Sequence, residues 1–400
     1  MDTLPAVSPL RYTEKELLFF LLSHAHEKRI PVALWQLPGT DLTHLILCKN
    51  YLKLDREDLL EELDPGFLMA PFDKEKDRLF LPAELFFTFE RGKLRTNGTL
   101  EQTSARWLRE QLPDTFGTRP FIPQDQRPLS AAGKDQQKQS FVETIQECVR
   151  EIEQGTFEKI VPSRTRTIDL PEAFDVVGSF QKLCNSYPQA LISFVSIPGI
   201  GNWLGASPEV LVCVQDKTVF KTVALAGTLP YQPGIDIKSV AWTQKEIEEQ
   251  ALVERYVISC FKKVRLREYS EHGPKTVVAG NLMHLKSEFT VDMKATNFLH
   301  IGSVMLDLLH PTSAVCGMPL ETSLPFLKEH EDYDRGFYSG YVGPVNVHNN
   351  IDLFVNLRCM QIAGEKGILY AGAGVTIDSD PEKEWDETEM KFNTLLNVIF

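Results

Sequence analysis

Apolar positions along this chain follow two spacings, one typical of helices and one typical of strands. Helical spacing predicts helices in TEKELLFFLLSHAHEKR, QSFVETIQECVREIEQG, AFDVVGSFQKLCNSY and FLHIGSVMLDLLH, over about 243–264, and over the acidic segment EKEWDETEMK. Runs rich in β-branched and apolar residues predict strands in PVALWQLP, THLILCK, EKIVPSRTRTIDL, ALISFVSIP, GNWLGASPEVLVCVQ, TVFKTVALAGT, IDLFVNLRCMQIA and GILYAGAGVTI, and a strand, turn and strand in DRLFLPAELFFTFERGKLR. Because runs of strands are broken by single helices, we expect an α+β fold of large, mainly antiparallel sheets flanked by helices, not a regular βαβ repeat.

One polar segment divides the chain. Residues 119–139 are rich in Pro, Gln and Gly, which is typical of a surface connection. They separate residues 1–130, in which we recognise no motif, from residues 131–400, which hold the segments discussed below. We expect residues 1–130 to be the N-terminal part of the same fold.

Composition and charge exclude several classes of protein. Apolar residues make up 43% and charged residues 24% of the 400 residues, which is typical of a globular chain with a sizeable core. A net charge of -13 argues against a nucleic-acid binder, which needs a basic surface, and against docking on anionic membranes. The seven cysteines are scattered without a C-x-x-C pair, as expected for reduced thiols in a cytoplasmic enzyme. We expect no signal peptide and no membrane span.

Two predicted helices carry pairs of glutamates with the same spacing. Glu246 and Glu249 share one face of the helix over about 243–264, and Glu384 and Glu387 share one face of the last helix, with Lys391 four residues beyond Glu387. Such pairs are common on solvated helix surfaces. If the two helices face each other, however, their carboxylates suit a hard cation such as Mg²⁺.

Several single residues have chemistry that the spacing alone leaves open. Lys159 and Glu209 each adjoin an apolar strand; in an apolar, cationic pocket the lysine could serve as a base, and in an apolar pocket the glutamate could serve as an acid. Arg358 lies on the apolar face of a predicted strand, so it either pairs internally or binds a carboxylate. His284 and His310 lack metal-ligand spacing, and for both we favour a structural hydrogen bond.

Two glycine-containing segments also allow both a structural and a ligand-binding interpretation. In AGAG (371–374) and ALAGT (224–228) the glycines either form tight turns or let backbone N–H groups approach an anionic ligand. No dinucleotide fingerprint and no G-x-S-x-G nucleophile motif is found in the sequence.

Taken in order, ten segments resemble the chorismate-utilising enzymes. This family includes isochorismate synthases, salicylate synthases and the large subunits of anthranilate and aminodeoxychorismate synthases. The resemblance covers about residues 135–400 and implies the fold of anthranilate synthase component I, with residues 131–400 as the chorismate-binding catalytic domain. The segments are FEKIVPSR, GASPEVLV, ALAGT, KEIEEQALV, MHLKSE, HPTSAVCGMP, DRGFYSGYVG, VNLRCMQI, LYAGAGV and EKEWDETEMK.

The resemblance also implies a substrate, a metal and residue roles. The substrate is chorismate and the metal is Mg²⁺, with Glu249 and Glu387 as ligands and Glu246 and Glu384 as supporting carboxylates. Lys159 matches the base that activates water, and Glu209 matches the acid that protonates the departing 4-hydroxyl. The matched substrate-binding positions are Gly227, Thr228, His284, Ala314, Tyr338, Arg358, Gly372, Gly374 and Lys391.

Two features favour isochorismate synthase, an isomerase, within this family. Lys159 implies water as the nucleophile, because relatives that use ammonia typically lack this lysine, and HPTSAVCG is similar to the segment of isochorismate synthases. Salicylate synthase, an aminating synthase and a non-catalytic chorismate-binding homologue remain alternatives.

Three residues, Gln250, Pro162 and Lys286, depart from the usual family pattern. We expect a monomer or weak homodimer, and the resemblance fits both menaquinone and siderophore biosynthesis.

Overall fold

The computed structural model describes residues 12–113, 123, 134–231, 234–279 and 282–400, without the side chains of 134–136 and 279. The helices are α1 (Glu14–Lys28), α2 (Thr99–Gln111), α3 (Lys134–Glu153), α4 (Val176–Ser186), α5 (Gln244–Lys263), α6 (Ile301–Leu309), α7 (Leu320–His330) and α8 (Pro381–Ile399). The strands are β1 (Val32–Gln36), β2 (Leu42–Leu47), β3 (Leu52–Leu54), β4 (Gly66–Ala70), β5 (Arg78–Pro82), β6 (Leu85–Glu90), β7 (Lys93–Leu94), β8 (Lys159–Ile160), β9 (Ser163–Asp169), β10 (Leu191–Ile197), β11 (Gly201–Ser207), β12 (Val210–Gln215), β13 (Val219–Pro230), β14 (Ser270–Ala279), β15 (Leu282–Asp292), β16 (Gly317–Met318), β17 (Tyr341–Val345), β18 (Ile351–Val355), β19 (Cys359–Ala363) and β20 (Lys366–Gly372).

Two large antiparallel sheets form the centre of the fold. The first sheet has the order β7-β6-β2-β1-β10-β11-β19-β20-β9, and the second has the order β14-β15-β13-β12-β18-β17-β4-β5-β3. Strands from residues 32–94 are paired with later strands in both sheets, since β1 pairs with β10 and β4 pairs with β17. A short pair of β8 and β16 joins the segment around Lys159 to the segment after α6. The α+β, mainly antiparallel prediction is therefore confirmed.

The alternation of side chains along the strands places apolar residues on both faces of the sheets. In β1, Val32 and Leu34 pack with the helices, whereas Ala33 and Trp35 pack in the core between the two sheets. Burial on both faces explains why such strands appear in the sequence as continuous apolar runs. The core between the sheets includes Phe67, Met69, Val342, Phe354 and Ile368.

Helices cover the outer faces of the two sheets. Apolar residues of α1, α4 and α8 share one core with the first sheet, for example Leu18, Phe180 and Leu395. Residues of α5 and α6, such as Val257 and Met305, share a core with the second sheet. The two helices with predicted glutamate pairs, α5 and α8, therefore belong to opposite layers, and both reach the cavity described below.

Backbone breaks divide several predicted strands. Pro162 separates β8 from β9, Pro208 lies between β11 and β12, and residues 356–358 separate β18 from β19. A proline lacks the N–H that would continue a ladder of hydrogen bonds. The sequence analysis did not predict α2 or α7, and α7 contains Pro325, which disfavours a helix interior. Most of the predicted connection at 119–139 lies outside the described residues.

No helix within the described ranges is long and apolar enough to cross a membrane.

Candidate active site

A cavity of about 670 Å³, including its open mouth, lies where α5, α8 and the ends of several strands meet. It draws its lining from both sheets and both helix layers. Most of the predicted site residues line it. These are Glu209, Gly227, Thr228, Glu249, His284, Ala314, Tyr338, Arg358, Gly372, Gly374, Glu387 and Lys391.

Three predicted residues do not line this cavity. Lys159 is fully buried behind it, and its Nζ lies 2.8 Å from Glu249 Oε1. Glu384 is buried and forms an ion pair with Lys245. Glu246 is turned away, because its carboxylate accepts the backbone N–H of Thr243 at 2.9 Å and completes the capping box of α5. The expectation that Glu246 supports a metal ion therefore competes with its role at the helix start.

Arg358 enters the cavity from the break between β18 and β19, not from within a strand. The prediction that Arg358 lies on the apolar face of a strand is therefore wrong. β18 ends at Val355, and Arg358 has a left-handed φ of 48°. Among the described residues no carboxylate lies within ion-pair distance of its guanidinium, and one of its terminal nitrogens is buried without a partner. Burial lowers the pKa of Arg358. Since a buried donor without a partner is unfavourable, this half-buried side chain can bind an anion in the cavity.

Glu209 has the properties of an acid that is active near neutral pH. It follows Pro208 between β11 and β12, and only 4% of it is exposed. Burial raises the pKa of Glu209 to about 7, although the charges of Lys159, Arg358 and Lys391 oppose the shift. Glu209 can therefore hold a proton at neutral pH and release it to a leaving group.

His284 presents a hydrogen-bond acceptor to the cavity. Its Nδ1 lies 2.7 Å from the carbonyl oxygen of Gly227, and because a carbonyl only accepts, Nδ1 carries the hydrogen. Burial, with the nearby charge of Arg358, lowers the pKa of His284 to about 3, so the ring is neutral. Its Nε2 is buried without a partner and can accept a hydrogen bond from a ligand hydroxyl or a water.

Carboxylates and lysines alternate along one side of the cavity. Glu249 pairs with Lys159, and Glu387 pairs with Lys391 at 2.6 Å. Burial tends to raise the pKa of Glu249, but the lysine charges outweigh burial and lower it. Lys391 also donates to the carbonyl oxygen of Gly372 at 2.7 Å, which fixes α8 against the end of β20. Lys159 therefore does not lie in the apolar, cationic pocket that a lysine base would need, because its immediate partner is the carboxylate of Glu249.

The carboxylates of this cluster fit a hard divalent cation. No group of three or more His, Cys, Asp or Glu side chains suited to a metal ion is found in the part of the chain that the structure describes. Mg²⁺, however, needs only one or two protein carboxylates, since water and substrate oxygens complete its coordination shell. Glu249 and Glu387 line the same cavity. Burial and the nearby negative charge of Glu387 raise the pKa of Glu384, so a cation beside these groups would relieve their repulsion.

Two glycines are required by close approach at this cavity. A Cβ on Gly374 would lie 2.5 Å from Glu249 Oε1 and 3.2 Å from Lys159 Cε, so any side chain there would separate this ion pair from the cavity. Gly227 has a φ of 65°, which favours glycine, and its N–H donates to Glu249 Oε2 at 3.2 Å. Both segments therefore position Glu249.

Gln250 does not point into the cavity. Its side-chain nitrogen contacts the carbonyl oxygen of Ala224 at 3.3 Å, Ser287 Oγ at 3.3 Å and Glu254 Oε1 at 3.1 Å. It therefore connects α5 to β13 and β15. This departure from the family pattern concerns how α5 is held against the second sheet, not the groups that line the cavity.

The sequence analysis missed Tyr370 as a lining residue. Tyr370 stacks on Tyr338, with ring centroids 5.3 Å apart and ring planes 19° apart, and both rings line the cavity. The signal was present, because Tyr370 lies two positions before Gly372 on the same strand and shares its face. The other lining residues not predicted are Val161, Pro208, Leu225, Ala226, Val315, Leu357 and Ala371.

Comparison with known proteins gives one consistent result. A family model described as chorismate binding enzyme matches residues 79–400. Isochorismate synthase EntC of Escherichia coli strain K12 is 31% identical over 247 residues, which covers 60% of this chain and 62% of EntC. Isochorismate synthase DhbC of Bacillus subtilis is 30% identical over 267 residues, which covers 64% of this chain and 66% of DhbC. The matches thus span less than two thirds of the length of these relatives.

A solved structure supports the fold over nearly the whole chain. The menaquinone-specific isochorismate synthase MenF of Escherichia coli superposes with a TM-score of 0.72 at 22% identity, covering 95% of this chain and 91% of that chain. The likeness includes the N-terminal strands, where the sequence analysis recognised no motif.

Proposed function

Since the chain belongs to the family of chorismate binding enzymes, we propose that it is an isochorismate synthase. This isomerase adds water at C2 of chorismate, and the C4 hydroxyl leaves. The observation that supports the proposal most is the presence of two complementary groups in one cavity. Arg358 is a half-buried cation with one terminal nitrogen buried without a partner among the described residues, and Glu209 is a buried acid with a pKa of about 7.

Chorismate carries two carboxylates, and the cavity offers a different partner for each. Arg358 can bind the carboxylate of the enolpyruvyl arm, with Tyr338 and the backbone at Gly372 beside it. The ring carboxylate would then point towards Glu249 and Glu387, which repel it unless a cation is present. When bound between them, Mg²⁺ would neutralise this carboxylate and withdraw charge from the ring.

Lys159 and Glu209 supply the proton transfers of the proposed reaction. Glu209 protonates the departing C4 hydroxyl, because it holds its proton at neutral pH. Lys159 takes a proton from the attacking water, which requires the neutral amine. Its present partner, Glu249, then needs another cation, and a metal held by Glu249 and Glu387 fits that requirement. His284 Nε2 can accept a hydrogen bond from a substrate hydroxyl or the attacking water.

Product analysis tests this proposal. The purified protein is incubated with chorismate and Mg²⁺, and the products are separated by chromatography. We expect isochorismate to form, and we expect EDTA to abolish its formation. Salicylate and pyruvate as main products would assign a salicylate synthase, and turnover only with ammonia or glutamine would assign an aminating synthase.

Two variants control for the non-catalytic alternative. Lys159→Ala should abolish metal-dependent turnover, whereas Gln250→His, at a residue outside the cavity, should retain it. Absence of turnover in the wild-type protein, together with saturable chorismate binding, would favour a chorismate-binding homologue without activity.

All seven cysteines are free within the described structure, which supports a cytoplasmic location.

A further inference from the structure

A second cavity, separate from the candidate active site, lies between the N-terminal strands and α6. It has a volume of about 510 Å³, including its open mouth. Its wall includes His310 and Tyr341, whereas Val315 and Tyr338, a few residues away in the same two segments, line the first cavity. No residue of this second cavity has a role in the function proposed above.

Cationic side chains surround the second cavity. Arg56, Lys74, Lys76 and Arg78 all line it; Arg56, Lys76 and the one acidic lining residue, Asp307, are exposed, whereas Lys74 and Arg78 are half-buried. This arrangement is unusual for a chain whose net charge is -13. Because like charges repel, four cations around one small space do not stabilise the fold by themselves. Arg56 and Lys76 have acidic partners at the surface, so Lys74 and Arg78 are the two that are explained better by an anionic ligand.

Lys74 has no side-chain partner among the described residues. It is half-buried, and its ammonium makes no ion pair or hydrogen bond with any residue that the structure describes. It nevertheless lies close enough to His310 for its charge to act there. Burial lowers the pKa of His310 to about 4, the hydrogen bond to the carbonyl oxygen of Pro71 opposes this, and the positive charge of Lys74 contributes to the lowering. The Lys74 ammonium is therefore available to a ligand in the cavity.

Arg78 supplies an additional unused donor. One terminal nitrogen of its guanidinium donates to the carbonyl oxygens of Asp55 and Asp58, but its Nε is buried and has no partner among the described residues. Tyr341, which is 3% exposed, lines the same cavity, and its hydroxyl is also a hydrogen-bond partner of the Arg78 side chain, so a ligand would share this guanidinium with Tyr341. A buried donor without a partner is unfavourable unless a ligand or water accepts from it.

The remaining two cations are exposed and pair with acids at the surface, and Arg56 also donates to the carbonyl oxygen of Lys74 at 3.0 Å. Arg56 pairs with Glu75 at 2.6 Å, and Lys76 pairs with Asp334. The side chains of these acids are 72% and 66% exposed. Such exposed pairs contribute little to stability, so both cations can turn towards a ligand at little cost.

We propose that the second cavity is a binding site for a small molecule that carries a phosphate group. Several lysines and arginines converge on one small space, which suits a ligand with more than one negative charge and several acceptor oxygens. Phosphate provides both, and arginine and lysine are its usual partners in proteins. The site does not depend on the proposed reaction of the first cavity.

Calorimetric titration with inorganic phosphate and with glycerol 3-phosphate tests this site. The full-length protein is titrated in chloride buffer of constant ionic strength, without chorismate. We expect saturable binding that Lys74→Ala weakens roughly tenfold, the loss expected for one charge-assisted contact. Because the Lys74 ammonium has no partner in the described part of the chain, this variant should keep the melting temperature of the wild-type protein. The matched control is Lys53→Ala, at a lysine on β3 that pairs with Asp77 and does not line the cavity.

Other variants distinguish the second cavity from the first. Arg358→Gln should leave phosphate binding unchanged, because Arg358 lines only the candidate active site and the small cavity behind it. Loss of phosphate binding in Arg358→Gln but not in Lys74→Ala would overturn the proposal, as would no saturable binding to the wild-type protein. Co-sedimentation with phosphatidic acid vesicles that requires Lys74 would assign the site to a lipid and overturn the small-molecule proposal.

Discussion

The chemistry of single residues in this protein is determined by their surroundings. Glu209 and Arg358 are ordinary residue types, and the sequence shows only that each lies beside apolar positions. In the fold, burial raises the pKa of Glu209 to about 7, and Arg358 is half-buried with one terminal nitrogen that has no partner among the described residues. The family resemblance indicated both residues, but burial depends on contacts distant in sequence.

Replacing Glu209 tests its assignment as the acid. In the wild-type protein the protonated fraction of Glu209 falls as the pH rises through about 7, so kcat/KM should decrease on the basic side of neutrality. Glu209→Gln should lower kcat by roughly 10²–10⁴-fold, and its residual activity should lack this decrease. The measurement is kcat/KM as a function of pH for both proteins. An unchanged basic limb in the variant would show that another group is responsible.

Replacing Arg358 should have opposite effects on binding and on stability. Arg358→Met removes a half-buried charge, one nitrogen of which is buried without a partner within the described structure, so the ligand-free protein should melt at a higher temperature. The same change should weaken chorismate binding by roughly 10–100-fold, the loss expected for a hydrogen bond to a charged group.

Both effects of Arg358→Met can be measured on one preparation. Differential scanning calorimetry gives the melting temperature, and titration with chorismate in EDTA gives the affinity without turnover. A decrease in melting temperature together with unchanged affinity would show that Arg358 is a structural residue.

At the scale of elements, the sequence predicted helices and strands better than it predicted where they end. The prolines at 162 and 208 divide segments that were each predicted as one strand, and α7, which was not predicted, contains Pro325. The glutamate pairs of α5 and α8 were identified, but their spacing could not show that Glu246 would be used as a cap. Cap geometry depends on the residue before the helix as well as on the pair itself.

Two glutamate variants separate capping from metal binding. Glu387→Gln should weaken Mg²⁺ binding strongly with little change in stability, because Glu387 lines the cavity. Glu246→Ala should instead destabilise the protein by roughly 0.5–1 kcal/mol and leave the Mg²⁺ affinity nearly unchanged. Titration with Mg²⁺ and urea unfolding measure the two quantities. An equal loss of metal affinity in both variants would restore Glu246 as a supporting carboxylate.

At the scale of the whole molecule, the N-terminal strands and the later strands form the same two sheets and belong to one structural unit. β1 lies between β2 and β10, and β4 pairs with β17, so residues from 32–94 complete both sheets. The sequence predicted one α+β fold because runs of strands are broken by single helices. It could not give the strand order, since antiparallel pairing joins segments more than a hundred residues apart, such as β1 with β10.

Removing the N-terminal strands tests this interdependence. A fragment of residues 134–400 lacks β1 to β7 and therefore exposes the core between the sheets, including Val342, Phe354 and Ile368. We expect it to be insoluble, or to lack a cooperative thermal transition when refolded. Calorimetry of the fragment and of the full chain provides the comparison. A cooperative transition in the fragment would show that residues 134–400 fold independently.

The central claim is that the residues of the candidate active site catalyse the addition of water to C2 of chorismate while the C4 hydroxyl departs. Turnover of chorismate with Mg²⁺ in oxygen-18-labelled water tests it most directly, with the product analysed by mass spectrometry and NMR. We predict isochorismate that carries one labelled oxygen, located at C2. Isochorismate without the label, or salicylate as the main product, would contradict the account.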